Sequence, residues 1–244
     1  MVATIGKYLD SINTLKLEDR ILDHNTLILG EQGSGKTNLA CKIRTFAIDR
    51  GVPTLYMDFS NSHEEEIELR YKDKHFNYIQ FSDTPEFDEA FSKLIKERKH
   101  IYLAADPKNF SNKRDQKSKL SQAISQQELL DNYYYFFHDI ENLNGFYTKF
   151  EDFLLYMLGF INLQKYGFTF LAQPHKTFEN PHLKLLFTFL YLGKCSNANY
   201  YNTSILKTLP KNTFYYQARS AHSTLLFNDI QSHIVEIDEY IPEG

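Results

Sequence analysis

The sequence holds no tryptophan, two cysteines and ten glycines, and between Asp115 and Ala218 it has no arginine at all. Each shortage excludes something. Cys41 and Cys195 lack metal or redox spacing, so neither a zinc site nor a disulfide framework organises the chain, and so few cysteines suit a reducing compartment. A formal net charge of −4 rules out a generally basic nucleic-acid coat, so any nucleic-acid contact has to be a local patch. The longest apolar run, 153–163, is too short to cross a bilayer and is interrupted by Gly159 and Asn162. The first residues lack the basic-then-apolar pattern of a secretory signal. The expectation is a soluble, cytoplasmic protein with no transmembrane segment. The missing arginines also count against a small-molecule kinase, which needs cationic groups over two bound phosphoryl groups.

What is present reads as α/β. With 244 residues, 42% hydrophobic and 24% charged, the composition is that of an ordinary globular chain. Strand-length apolar runs occur at 25–30, 53–58, 76–81, 100–105, 133–138, 167–172 and 187–192. Most are continuously apolar or aromatic, as expected of strands covered on both faces in a parallel sheet. Helical patterns alternate with them. One follows at 36–50. A second covers 85–98, with Thr84 as its cap, Pro85 in its first turn, and Phe87, Ala90, Phe91, Leu94 and Ile95 on one face. A third covers 147–165. This alternation predicts right-handed crossovers and an α/β sandwich with a mostly parallel central sheet. The tail differs: 213–218, 224–228 and 233–237 read as short strands of a C-terminal β-meander extending or flanking the sheet edge. The whole of 1–244 is read as one domain, with a core over about 20–195 and a β extension over about 196–244.

Three of the few glycines stand together in Gly30-Glu31-Gln32-Gly33-Ser34-Gly35-Lys36-Thr37. This fits G-x-x-x-x-G-K-[ST], the phosphate-binding P-loop, in its required setting of apolar strand before and helix after. Glycines let the main chain turn with positive φ and bring its N–H groups to phosphate oxygens. The helix that follows points its positive end at the same oxygens. Lys36 would reach the β- and γ-phosphates, and the Thr37 hydroxyl would ligate Mg²⁺. The residues expected around the nucleotide are Gly30 through Thr37, with Asn38 next on the helix. ATP and Mg²⁺ are the implied cofactors.

A P-loop needs a neighbouring strand that brings a carboxylate to the metal. Residues 133–138 form an apolar run ending at Asp139, the expected metal-side acid, with a helix or turn cap as its structural alternative. Glu141, two residues on, would orient or deprotonate the attacking water, or be a solvated loop acid. Asp58 also ends a strand, where a turn role is equally open, and Asp106 before Pro107 reads as a turn residue. Gln173 emerges at the end of the 167–172 strand. In a parallel sheet that end faces the ligand, so Gln173 could sense the γ-phosphate or simply bond its loop.

This order of elements resembles the HerA/FtsK superfamily of ring-forming DNA-pumping ATPases. The elements are the P-loop, a strand ending Tyr56-Met57-Asp58, the aromatic strand ending in Asp139, and Lys165-Tyr166-Gly167 leading through a strand to Gln173. Within it, a compact chain is most similar to the genome-packaging ATPases of tailless icosahedral viruses with internal membranes. The resemblance implies a RecA-like P-loop fold and ATP hydrolysis by a homo-oligomeric ring, a hexamer, that drives double-stranded DNA, with capsid or vertex proteins as docking partners. It assigns Lys36 and Thr37 to the P-loop, Asp139 to the metal and Gln173 to the sensor. Two departures stand out. The family places Glu directly after the acid, whereas Ile140 follows Asp139, so Glu141 takes the role only by a shift of one. The arginine expected before the sensor strand is absent. Gln164 and Lys165 stand there, and Lys165 brings charge without the arginine fork. Arg219 is the fallback for a residue acting on a neighbouring subunit's nucleotide.

The basic segment 108–119 would touch phosphates if it faced a pore, or be a solvated loop. Its Asn112-Lys113-Arg114-Asp115 matches the guanine-reading motif of GTPases, but it does not directly follow its strand, it precedes the Asp139 strand, and no D-x-x-G occurs in the chain. A cellular plasmid or conjugation motor is the near alternative. A slow, nucleotide-gated switch or assembly ATPase is the more distant one.

Overall fold

The computed structural model describes residues 3–60, 76–109, 113–145, 154, 165–196, 204–219 and 230–241. They fall into two compact units, Met1–Phe46 with Phe168–Tyr240, and Ala47–Gly167 with Ile241–Gly244.

Among the described residues the first unit holds β1 (Ala3–Tyr8), β2 (Thr14–Leu17), β3 (Thr26–Leu29), β8 (Phe168–Ala172), β9 (Phe189–Leu192), β10 (Thr213–Arg219) and β11 (Ile230–Ile237). Their order is β2-β1-β11-β10-β9-β3-β8. Only the pairs flanking β3 are parallel: Leu29 lies beside Ala172 on one side and Leu192 on the other. All four residues of β3 are buried, as are all five of β8 and all four of β9. The continuous apolar runs therefore mark strands covered on both faces. From β9 outward every pairing is antiparallel. The expected meander is present as β10 and β11, but it does not form the edge. The N-terminal hairpin β1–β2 pairs onto β11 and lies outside it. Strand β2 alternates, burying Leu15 and Leu17, and β1 buries only Ile5 and Gly6, so neither is a continuous apolar run and the hairpin carries little strand signal in sequence. The strand expected at 224–228 lies outside the described residues.

The second unit holds β4 (Thr54–Asp58), β5 (Phe76–Gln80), β6 (His100–Ala104) and β7 (Tyr134–His138) in the order β7-β4-β6-β5, all parallel. Both β4 and β7 are buried at every position. Tyr56 stacks between Tyr102 and Phe136 of the flanking strands at 5.1 and 5.4 Å, so aromatic pairs bind this sheet across its strands. In the first unit, helix α1 (Arg20–Asp23) precedes β3, and helix α2 (Lys36–Asp49), whose last residues fall in the second unit, begins at the P-loop lysine. Helix α3 (Pro85–Lys96) starts as its sequence dictates, with the Phe87 N–H donating to the Thr84 hydroxyl and Pro85 at its first position. Its buried face is narrower than the periodicity implies: Phe87, Phe91 and Ile95 are buried, whereas Ala90 is exposed. The basic segment after β6 supplies most of helix α4 (Lys113–Ile124) instead of a loop. Lys119 on that helix is engaged by Asp83 and Asp88 at 3.0 and 3.2 Å, so its charge is already balanced. The helix expected over 147–165 lies almost wholly outside the described residues. No helix among the described residues is long and apolar enough to cross a membrane.

The cap gives a direct check on the local reading. Replacing Thr84 by Ala should cost about 1 kcal/mol in chemical unfolding, with Thr84→Ser restoring most of it. An unchanged midpoint would mean that packing alone sets the helix start.

Candidate functional site

Strand β3 ends between two parallel neighbours, and their main chains hold the exit of the P-loop. The Gly30 N–H donates to Ala172 O at 3.2 Å, the Gly193 N–H to Leu29 O at 2.6 Å, and the Glu31 N–H to Lys194 O at 2.9 Å. A Cβ on Gly30 would stand 2.5 Å from Ser34 Oγ and 3.3 Å from the Gly193 Cα, so the close approach of two loops requires a glycine there. The turn then closes on itself: the Ser34 N–H donates to Glu31 O at 3.1 Å. Gly33 has φ +80° and Gly35 φ +101°, in the left-handed region that side chains rarely enter. Lys36 folds back over the turn, 7% exposed, and donates to Gly30 O at 2.7 Å and Glu31 O at 3.2 Å. Ser34 Oγ is buried with no hydrogen-bond partner among the described residues. Positive-φ glycines, a buried ammonium, an orphaned hydroxyl and the N-terminal end of a 14-residue helix together fit a phosphate chain.

Two sequence-selected residues of this stretch turn out to tie the loop to its surroundings. The Glu31 carboxylate accepts from the Ser196 N–H at 2.5 Å and the Ser196 hydroxyl at 2.9 Å, anchoring the segment after β9. The Asn38 side chain donates to Asp238 O at 3.0 Å and accepts from the Tyr240 N–H at 2.5 Å. Its amide therefore clips the residues after β11 to the start of α2. Gln32 is exposed and Thr37 half-buried in the first turn of α2. Asn212, which the sequence reading missed, completes the cradle. Its φ is +60°, its N–H donates to Ser34 O at 2.9 Å, and its backbone nitrogen lies 2.9 Å from where a Cβ of Gly35 would be.

Gln173 follows directly on β8, exposed at the same edge as the P-loop, because Ala172 is in register with Leu29. Arg219 stands at the other end of the strands. It follows Ala218, which pairs with Phe189, itself level with Thr26 at the start of β3. That separates it from the P-loop edge of its own unit by about 10 Å at the usual strand rise. Its main chain is fixed there, with the N–H donating to Thr188 O and the carbonyl accepting from Arg20.

The second unit gathers its acids at the carboxyl ends of its parallel strands. Asp58 is level with His138 across β4 and β7, and Asp139 follows at once. Asp58 is 1% exposed, and its carboxylate accepts from the Ser60 N–H at 2.8 Å and from the Tyr102 hydroxyl. Burial opposes ionisation of Asp58. His138, Tyr102 and the Ser60 N–H together outweigh it and hold the carboxyl below the usual carboxylate range. Asp139 is half-buried and carries φ +52°, a left-handed conformation in a residue with a side chain. Glu141 lies half-buried on the 3₁₀ turn Ile140–Gly145, whose Asn142 fixes it by donating to Phe59 O at 3.0 Å. Asp106 is a turn residue as expected, accepting from the Lys108 N–H at 2.9 Å. Lys165 is exposed, with its ammonium 5.2 Å from the Tyr166 ring centre.

No protein-family model and no curated protein matches the sequence. Solved structures do match in fold. VirB4 of Thermoanaerobacter pseudethanolicus superposes with a TM-score of 0.62 at 11% identity, over 97% of this chain and 96% of that one. The genome packaging NTPase B204 of Sulfolobus turreted icosahedral virus 2, in complex with ATP-gammaS, gives 0.54 at 12% identity over 86% and 96%. The cytoplasmic domain of the Type VII secretion ATPase EccC of Thermomonospora curvata gives 0.60 at 13% identity. There the match covers 98% of this chain but 26% of that one. What this chain shares with these proteins is a mixed α/β fold.

The cradle makes a sharp prediction. Gly35→Ala should lower the melting temperature and abolish binding of a fluorescent ATP analogue, since it meets both a forbidden φ and Asn212. Asn38→Ala should weaken stability by about 1 kcal/mol while binding persists. Loss of binding in Asn38→Ala at unchanged stability would assign its amide to the nucleotide instead.

Proposed function

We propose that this chain is a Mg²⁺-dependent ATPase that works as a homo-oligomeric ring, a hexamer, to move double-stranded DNA, with viral genome packaging as its setting. The observation that carries the nucleotide half of this reading is the 30–37 turn, with its positive-φ glycines, buried Lys36 and helix start. B204, one of the chains it resembles in fold, is described as a genome packaging NTPase and was solved with an ATP analogue. That likeness supports the DNA half.

In this reading Lys36 and the main-chain N–H groups of the turn bind the phosphates, and Thr37 and Asp139 hold Mg²⁺. Bound Mg²⁺ neutralises charge that develops on the transferred phosphoryl group. Glu141 orients the attacking water, and Gln173, at the P-loop edge, responds to the γ-phosphate. A cation from a neighbouring subunit completes the site. Lys165 is exposed enough to serve. Arg219 would have to reach a neighbour from the end of its strand remote from its own P-loop. Capsid or vertex proteins would be docking partners, and the host cytoplasm the place of action.

One observation favours a second reading. Ile140 occupies the place where the resembled family carries its glutamate, and no arginine precedes β8. An ATPase so equipped hydrolyses slowly and suits a nucleotide-gated switch or assembly factor. A plasmid or conjugation pump is the cellular variant of the first reading.

The ATPase rate of the whole protein, with and without duplex DNA, separates these. Stimulation by DNA is expected for the wild type, with a loss of more than about a hundredfold in Lys36→Ala. A wild-type rate indifferent to DNA would contradict translocation and favour the switch. Phosphate transfer to a small acceptor would mark a kinase instead.

A further inference from the structure

His138 lies between two carboxylates. Its Nδ1 is 3.5 Å from Asp58 Oδ1, and its Nε2 is 3.6 Å from Asp139 Oδ1. Both separations are longer than a full hydrogen bond but within ion-pair reach, so each ring nitrogen faces a carboxylate oxygen. The Asp58 end is rigid. One oxygen of that carboxylate takes the Ser60 N–H and the other the Tyr102 hydroxyl, and Asp58 is in strand register with His138. The ring's face is fixed as well, by Tyr56 meeting it edge-on at 5.8 Å between centroids. The His138 side chain is 9% exposed, whereas the Asp139 side chain at the other end is 19% exposed. The row thus runs from a clamped, buried carboxylate through an imidazole to a more accessible carboxylate on a strained backbone.

We propose that His138 is a positioning residue for Asp139: Asp58 holds the ring, and the ring aims the Asp139 carboxylate at the divalent metal of the bound nucleotide. The inference rests on the reading of Asp139 as the metal-side acid. A packing role alone would be met by an apolar ring, such as Phe136 provides two residues earlier on the same strand. Packing needs no ring nitrogen facing each of two carboxylates. Groups that orient a metal-binding side chain are typically worth about 10–100-fold in metal affinity.

The test uses the full chain with Mn²⁺ in place of Mg²⁺. Metal binding is followed by electron paramagnetic resonance in the presence of a non-hydrolysable ATP analogue, together with metal-free analogue binding and thermal melting. Asp139→Asn should lose most of the Mn²⁺ affinity. His138→Phe, which keeps the ring volume, should weaken Mn²⁺ by about tenfold while metal-free analogue binding stays at the wild-type level. His138→Gln, whose amide can still address Asp139, should recover most of that loss. Asp58→Asn should reproduce the weakening, and it decides the matter if His138→Phe does not fold. Wild-type Mn²⁺ affinity in a folded His138→Phe or Asp58→Asn protein, with Asp139→Asn impaired, would overturn the inference and leave Asp139 in place. Wild-type affinity in Asp139→Asn would remove the metal-side reading itself, and the inference with it.

Discussion

The structure depends on one turn of main chain between β3 and α2. To present its N–H groups inward, the chain must pass twice through positive φ within three residues, at Gly33 and Gly35. Glycine takes such a path without steric cost but is free to take many others, so surrounding contacts have to select this one. Those contacts come from three directions. Parallel strands β8 and β9 grip the exit of β3 through the Gly30 and Gly193 amides. Asn212 presses on Gly35 from the start of β10. Lys36 bridges the carbonyls of Gly30 and Glu31 from above. The antiparallel half of the first unit is therefore part of the cradle and not an appendage. Through Asn38, even the residues after β11 are tied to the start of α2.

The second unit solves a different problem, that of placing acids with a fixed orientation. Its all-parallel register brings the carboxyl ends of β4, β6 and β7 level, so Asp58, Asp106 and His138–Asp139 share one edge. Buried carboxylates persist ionised only with donors around them. Asp58 has them in Tyr102, Ser60 and His138. The strained backbone at Asp139 and the half-buried Glu141 on the turn beyond it are where this edge departs from ordinary sheet geometry.

Much of this was legible in the sequence, for identifiable reasons. Buried parallel strands write themselves as continuous apolar runs, so β3, β4, β6, β7, β8 and β9 were placed to within a residue or two. The P-loop was legible because close backbone approach and positive φ demand glycine. Thr84 was legible because a cap is a local contact. The N-terminal hairpin was not, since its strands are short and bury few positions, and β1 finds its partner β11 more than 200 residues away. Nor were Asn212 and His138. Their roles come from contacts with Gly35 and Asp58, far off in sequence, and nothing in their immediate neighbours announces them. Asn38 was assigned to the nucleotide from its place beside Thr37, whereas its side chain is committed to the C-terminal segment. The basic run after β6 promised a loop, but most of it forms a helix whose Lys119 is balanced by two aspartates.

The proposed function asks the turn and the acidic strand end to serve a single magnesium nucleotide. The most direct measurement is diffraction from crystals grown with Mn²⁺ and a non-hydrolysable ATP analogue, with the metal located by its anomalous signal. The account predicts a triphosphate against the amides of the 33–37 turn, with the metal at about 2.1 Å from the Thr37 hydroxyl and linked to Asp139 directly or through one water. A triphosphate bound elsewhere, or a metal with no path to Asp139, would contradict it.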